Sequence, residues 1–292
     1  MNDRVKHLQE LQNAFKNKDI DAQLSHFKMM TSCLFKLTQS LFYNNEKIKH
    51  FHSELENKYF RYGLGNHSIV KLMRGNEFEL IELKVRFTDL FSIFSLTRMQ
   101  IESYALMFYL FYDNITEAEK NLRYDIYKLH GLIKQSKFKV KAEKSIDKKS
   151  KILEEIELLK KNISESELFK NSSEKEQKNF LSPKRAMLNF SKDLLSKSGL
   201  EASRIDEMWD LYSNYAHSEH ISDRQFNSIY KIAKSTINET ILALNINAIL
   251  TAKLSTFLIN SFEGPMTKYK EFDEKERVHI DIWNKMYNEN VC

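Results

Sequence analysis

At 292 residues, 42% of them hydrophobic and 29% charged, the chain is long enough for one large or two ordinary domains and too apolar to be disordered. Its 6 glycines and 2 prolines are too few for the turns that strands need about every ten residues, which excludes a strand-rich fold and predicts an all-α one. Two distant cysteines, Cys33 and Cys292, exclude a disulfide framework or a four-cysteine zinc site, and the net charge of +5 is concentrated between Lys134 and Lys161, where ten lysines meet five acids.

The first helix is expected over Arg4–Phe15, where Val5, Leu8, Leu11 and Phe15 recur at three- and four-residue spacing. A second runs from about Ile20 to Tyr62 with a break near Asn44-Asn45, and RYGLGNHS then reads as a loop because it holds two of the six glycines. A long central helix is predicted over Glu77–Tyr112, apolar nearly all round. Thr116 to Glu119 has the form of a capping box, so another helix starts there and stops near Gly131. Ser145–Leu168 is a lysine- and glutamate-rich helix with Ile152, Leu153, Ile156, Leu159 and Ile163 as its apolar stripe, followed by a polar loop over Asn171–Asn179. Ser182-Pro183 reads as a helix start and Ser198-Gly199 as its stop. Further helices are expected over Ala202–Tyr215, Asp223–Phe262 (closed by Gly264-Pro265) and Glu274–Tyr287, the last with Val278, Ile282 and Trp283 on one side.

Together these elements predict an all-α multi-helix bundle with long central helices and a projecting lysine-rich helical arm. N-terminal helices would occupy 1–76 and the main bundle 77–292, with 134–181 as arm and loop. Phe87–Tyr112 and Ile241–Phe262 are apolar enough to suggest membrane spans. However, Arg98, Gln100 and Glu102 interrupt the first, and Asn245, Asn247 and Lys253 the second. A charge at mid-bilayer costs about 2.5–3.5 kcal/mol, so both are expected to be buried core helices and no membrane partner is expected. The charged N-terminus has no apolar signal core, which points to a cytoplasmic chain.

Chemistry concentrates in WDLYSNYAHSEH, residues 209–220, where two tyrosines, two histidines and two acids meet at the end of a helix. His217 there has two readings: a general acid or base, or a cap on the helix C-terminus. Arg98 and Glu102 stand one turn apart in the apolar central helix and must find partners, either as an internal ion pair or as the polar floor of a pocket. His217 and His220 have a spacing that faces both rings one way, yet only ordinary helix-end carboxylates accompany them, so no metal is expected. Neither GxxxxGK[ST], GxGxxG nor GxSxG occurs, which disfavours ATP hydrolysis, dinucleotide chemistry and serine hydrolysis, and no cofactor is expected.

The succession TRMQIESYALMFYLF, RYDIYKLHGLIK and SGLEASRIDEMWDLYSNYAHSEH resembles an all-helical bacterial family of unknown function. Its members carry an Arg followed by a Glu on a central helix, then a Tyr-rich helix and a late tyrosine–serine–histidine motif. The resemblance covers roughly residues 87–227 and implies that Arg98, Glu102, Tyr124, Tyr127, Tyr212 and His217 fill those places. More distantly, the chain is similar to the HEPN superfamily of helical bundles, many of them RNases of toxin and antiphage systems. Its nucleases carry an Arg shortly before a His and pair two such motifs across a homodimer. Arg61 and His67, and Arg123 and His130, have that kind of spacing, whereas Ser213 and Asn214 precede His217.

The HEPN resemblance implies a metal-independent endoribonuclease acting on RNA or a nucleotide. His217 would move a proton at the 2′-hydroxyl or the leaving oxygen, Arg98 or Arg123 would stabilise phosphate charge, and Tyr212 would orient the histidine. Tyr124, Tyr127 and Tyr215 would line the site, and Lys137, Lys141, Lys148 and Lys151 of the basic stripe would attract the phosphate backbone. The competing reading is a non-catalytic helical module that docks a protein partner along its apolar or basic faces.

Overall fold

Apolar side chains at three- and four-residue spacing form helix almost throughout the computed structural model, which describes residues 3–43, 48–81, 83–139, 143–188, 192–217, 219–228 and 236–286. In chain order the first helices are α1 (Asp3–Lys16), α2 (Ile20–Tyr43) and α3 (Leu55–Met73). A hairpin follows, β1 (Asn76–Leu80) and β2 (Leu83–Phe87), then α4 (Leu90–Met107) and a π-helical turn over Phe108–Tyr112. Next come α5 (Glu117–Ser136), α6 (Glu143–Glu165), α7 (Glu167–Lys170), α8 (Glu174–Leu181) and α9 (Lys192–Lys197). The chain ends with α10 (Ala202–Ala216), α11 (His220–Phe226), α12 (Ile237–Ser261), α13 (Glu263–Glu271) and α14 (Glu274–Lys285). The fold is all-α, and it divides into a first unit of residues 1–47, 54–105 and 195–292 and a second of 48–53 and 106–194.

In the first unit, α2, α3 and α12 carry most of the core: Phe27, Leu34, Leu37, Tyr59, Ile69, Leu250 and Leu254 are all buried. Among the described residues α12 alone is long and apolar enough to cross a membrane, and 72% of its apolar window is buried inside the protein. A polar chain threads this core. Gln100 Nε2 donates to Asn66 Oδ1 (2.6 Å) and to the Tyr62 carbonyl (2.8 Å), Asn66 Nδ2 to Thr251 Oγ1 (2.9 Å), and Asn247 Nδ2 to Thr97 Oγ1 (2.9 Å). Buried amides left unpaired would each cost about 1–3 kcal/mol, so these bonds set the register of α3, α4 and α12. Tyr104 adds a hydrogen bond from its hydroxyl to the Ser198 carbonyl (3.0 Å). Gly199 then turns the chain at φ 77°, the helix stop expected from the sequence.

In the second unit Leu122, Ile126 and Leu129 of α5 pack on Ile156, Leu159 and Ile163 of α6, with Phe169 and Phe180 against them. Each buried aliphatic side chain contributes about 1.5–3 kcal/mol relative to exposure, so the stripe on the lysine-rich helix is what holds α6 to α5. Thr116 caps α5 by accepting from the Glu119 amide at 3.2 Å.

Several predicted elements are corrected. RYGLGNHS is helix, not loop: Gly63 and Gly65 lie inside α3, where a Cβ would fall 2.5 Å from the Phe35 ring and 2.9 Å from Gln100 Oε1. These glycines serve close packing rather than a turn. The central helix starts at Leu90 instead of Glu77, because Phe78, Leu83, Val85 and Phe87 alternate with Glu77, Glu79, Lys84 and Arg86, a strand pattern. Register places Glu77 opposite Arg86 and Glu79 opposite Lys84, and Gly75 (φ 74°) turns the chain into the hairpin. α5 passes through Gly131, where nothing lies near the missing Cβ. The expected polar loop over Asn171–Asn179 contains most of α8, started by a capping box between Ser173 and Glu176. Residues 183–188 form bends rather than a helix. Gly264 and Pro265 lie within α13, near its start, where proline's missing amide hydrogen costs no bond. Asn44-Asn45, Lys141, Tyr287 and Cys292 lie outside the described residues.

Candidate functional site

On α4, Phe91, Phe94, Arg98 and Glu102 recur at helical spacing and share one face. α10 lies against that face. Tyr212 stacks on Phe94 (ring centroids 4.7 Å, 15° between planes), and Tyr215 meets Phe94 at 4.8 Å and Phe91 at 5.2 Å. These aromatic contacts bury both tyrosines and hold the polar ends of the two helices together. Beyond them, Arg98 Nη1 stands 3.3 Å from His217 Nε2, and Arg98 Nη2 stands 3.1 Å from Glu102 Oε1. Trp209 Nε1 donates to the same Glu102 oxygen at 3.2 Å, and the guanidinium carbon lies 5.4 Å from the centre of the indole ring. Arg98, Glu102, Trp209 and His217 therefore form one cluster.

The chemistry of the cluster follows from its donors. A guanidinium is always protonated and only donates, so the nitrogen facing it, Nε2 of His217, carries the lone pair. His217 faces the guanidinium through this nitrogen. It is the C-terminal cap of α10: its amide bonds the Ser213 carbonyl at 3.1 Å, and its ring is exposed. The Arg98 side chain is 19% exposed and Glu102 44%, so their pair contributes only about 0.2–1 kcal/mol to stability. Arg98 Nε is buried and has no hydrogen-bond partner among the described residues. The cluster thus holds an exposed imidazole, a cation with donor capacity left and a carboxylate open to solvent.

Tyr212 and Tyr215 differ from this group. Burial raises the Tyr212 hydroxyl well above its ordinary pKa, and among the described residues it has no hydrogen-bond partner, His217 included. Burial pushes the Tyr215 hydroxyl up to about 12. Both act as packing groups that seat α10 on α4.

Arg123, Tyr124 and Tyr127 belong to the second unit. Arg123 Nη1 donates to Asp113 Oδ2 (2.7 Å) and the Tyr109 carbonyl (3.3 Å), and Nη2 to Glu119 Oε1 (2.9 Å). Its guanidinium also lies 4.3 Å from the centre of the Tyr109 ring, beside a cleft of about 240 Å³ lined by Leu122, Phe180 and Leu188. Tyr124 is buried and meets His50 edge-on at 5.1 Å, and Tyr127 lies 6.4 Å from Tyr124. Lys137, Lys148 and Lys151 are exposed. Arg61 and His67 are exposed on α3, whereas His130 is buried and held below its ordinary pKa by desolvation. Among the described residues no group of three or more His, Cys, Asp or Glu is arranged to hold a metal ion.

No protein-family model matches the chain, and neither a curated protein nor a solved structure does. Trp209 is the site residue that sequence reasoning left without a role. Its position about two helical turns ahead of His217 was visible, but its bond to Glu102 depends on the packing of α10 against α4.

Proposed function

We propose that the chain acts on RNA or a nucleotide at the Arg98–His217 centre, as a metal-independent endoribonuclease of the HEPN kind serving defence or a toxin system. The observation that carries this reading is the direct contact of Arg98 with Nε2 of the exposed His217. A phosphodiester would draw the guanidinium, which suits phosphate geometry, and release the lone pair on His217 Nε2. That nitrogen takes the proton of the ribose 2′-hydroxyl as its oxygen attacks phosphorus. A 2′-oxygen–phosphorus bond forms, the phosphorus–5′-oxygen bond breaks, and the leaving oxygen is protonated by water. Arg98 stabilises the charge that gathers on the phosphoryl oxygens. The exposed lysines Lys137, Lys148 and Lys151 add attraction that is independent of sequence.

The second reading is a non-catalytic module, favoured by the hairpin, whose Phe78 (49%) and Leu83 (60%) are exposed. Incubating total RNA in EDTA with wild type and with His217→Ala separates the two. Loss of a proton-transfer group lowers the rate about 10²–10⁴-fold, so cleavage should be confined to wild type. Equal, negligible cleavage by both proteins would remove the enzyme reading and leave the docking module.

A further inference from the structure

Glu102 Oε1 accepts two hydrogen bonds at once, from Arg98 Nη2 at 3.1 Å and from Trp209 Nε1 at 3.2 Å. Glu102 is the outer partner of the ion pair, at 44% exposure against 19% for Arg98, while Arg98 Nε is buried with no hydrogen-bond partner among the described residues. The carboxylate is thus the more exposed partner and the group free to yield. A phosphate oxyanion offers several acceptor oxygens to the planar donor fork and competes well for it. Once the guanidinium turns to phosphate, Glu102 faces a like charge and loses its cation. The indole N–H remains as a donor that does not depend on Arg98.

We infer that Glu102 is a displaceable counter-ion which an incoming phosphodiester drives off Arg98, and that Trp209 is the positioning residue that retains the displaced carboxylate. This rests on the phosphate-directed reading of the cluster. Before ligand arrives, Glu102 neutralises Arg98 and keeps weaker anions from it. On binding, Trp209 Nε1 leaves the carboxylate one donor after the guanidinium has turned to phosphate, which lowers the cost of the exchange. The indole also lies against Arg98, so its emission reports the exchange.

The test is binding of a 2′-O-methyl single-stranded oligoribonucleotide, which lacks the attacking hydroxyl and cannot be cleaved by this route. Glu102→Gln should bind it about two- to fivefold more tightly, the worth of an ion pair whose carboxylate is half-exposed. Trp209→Phe keeps the ring but loses the N–H, and should bind it more weakly by a similar factor. The double variant Glu102→Gln/Trp209→Phe should bind like Glu102→Gln alone, since the indole acts only through the carboxylate. Trp209→His, which retains a ring N–H, should recover part of the loss. Titration should change tryptophan emission in wild type and leave that of Trp209→Phe unaltered. Unchanged or weaker binding by Glu102→Gln, while Arg98→Ala loses binding, would overturn the exchange and leave the phosphate site standing. Wild-type affinity in Arg98→Ala would overturn the site and the exchange together. Far-UV circular dichroism of each variant confirms that the folded protein is being compared.

Discussion

Arg98 in the first unit and Arg123 in the second each pair with a glutamate one helical turn away, yet their surroundings differ. Arg123 is bonded by Asp113, Glu119 and the Tyr109 carbonyl and lies against the Tyr109 ring. Arg98 has one half-exposed carboxylate, one imidazole nitrogen and an Nε without a hydrogen-bond partner among the described residues. Sequence spacing alone does not distinguish them, since each has a glutamate four residues away on its own helix. Saturation does. An arginine held by two carboxylates holds a fold together, and an arginine with one exposed carboxylate and an imidazole has capacity left for a ligand.

The contrast can be broken first on stability. Arg123→Ala would strand the Asp113 carboxylate, whose side chain is only 6% exposed, and is expected to cost about 3–5 kcal/mol in urea unfolding. A loss under 1 kcal/mol would show that Arg123 is not the structural cation described here. An acid titration is next in size. His26 and His279 pack against each other in the first unit (centroids 4.4 Å), facing Lys275, Glu10, Asp19 and His7, and burial lowers His26 from 6.5 to about 4. Its neutral ring contributes stability that is fully present above pH 6.5 and falls as pH drops toward 4, by about 3 kcal/mol. His26→Phe should flatten that slope in equilibrium unfolding, and an unchanged slope would assign the acid loss elsewhere.

Gly65→Ala is expected to have a smaller effect. Its Cβ would fall 2.9 Å from Gln100 Oε1, and overpacking of this kind costs about 1–3 kcal/mol. Because Gln100 fixes α4 two residues from both Arg98 and Glu102, RNA cleavage should decline along with the melting temperature. Wild-type activity with reduced stability would separate the polar core from the site. The smallest effect belongs to Arg98→Ala, which should change stability by about 1 kcal/mol or less, as expected of a pair whose carboxylate is half-exposed. A loss as large as that of Arg123→Ala would erase the distinction between the two arginines.

Much of this was legible in the chain before its structure. The scarcity of glycine and proline foretold an all-α fold, and Thr116 and Gly199 mark helix boundaries by local chemistry alone. The alternation around Phe78 and Val85 was visible too, but an apolar run next to a true helix hides a two-residue period inside a longer stretch. Gly63 and Gly65 mislead for a physical reason. A glycine that opens a turn and one that admits a neighbouring ring look identical in sequence, and only Phe35 and Gln100 tell them apart. At the site, residue chemistry nominated Arg98, Glu102 and His217, whereas the partnership of Trp209 with Glu102 and the closure of Arg123 depend on packing between helices.

Single-turnover cleavage of an unmodified single-stranded RNA by wild type and Arg98→Ala, in EDTA and with folding verified, tests the open arginine most directly. Removing a donor to the transition-state oxyanion costs about 10²–10³ in rate, so the variant should be slower by at least a hundredfold. Equal rates in the two proteins would contradict the assignment of Arg98 as the phosphate-stabilising group.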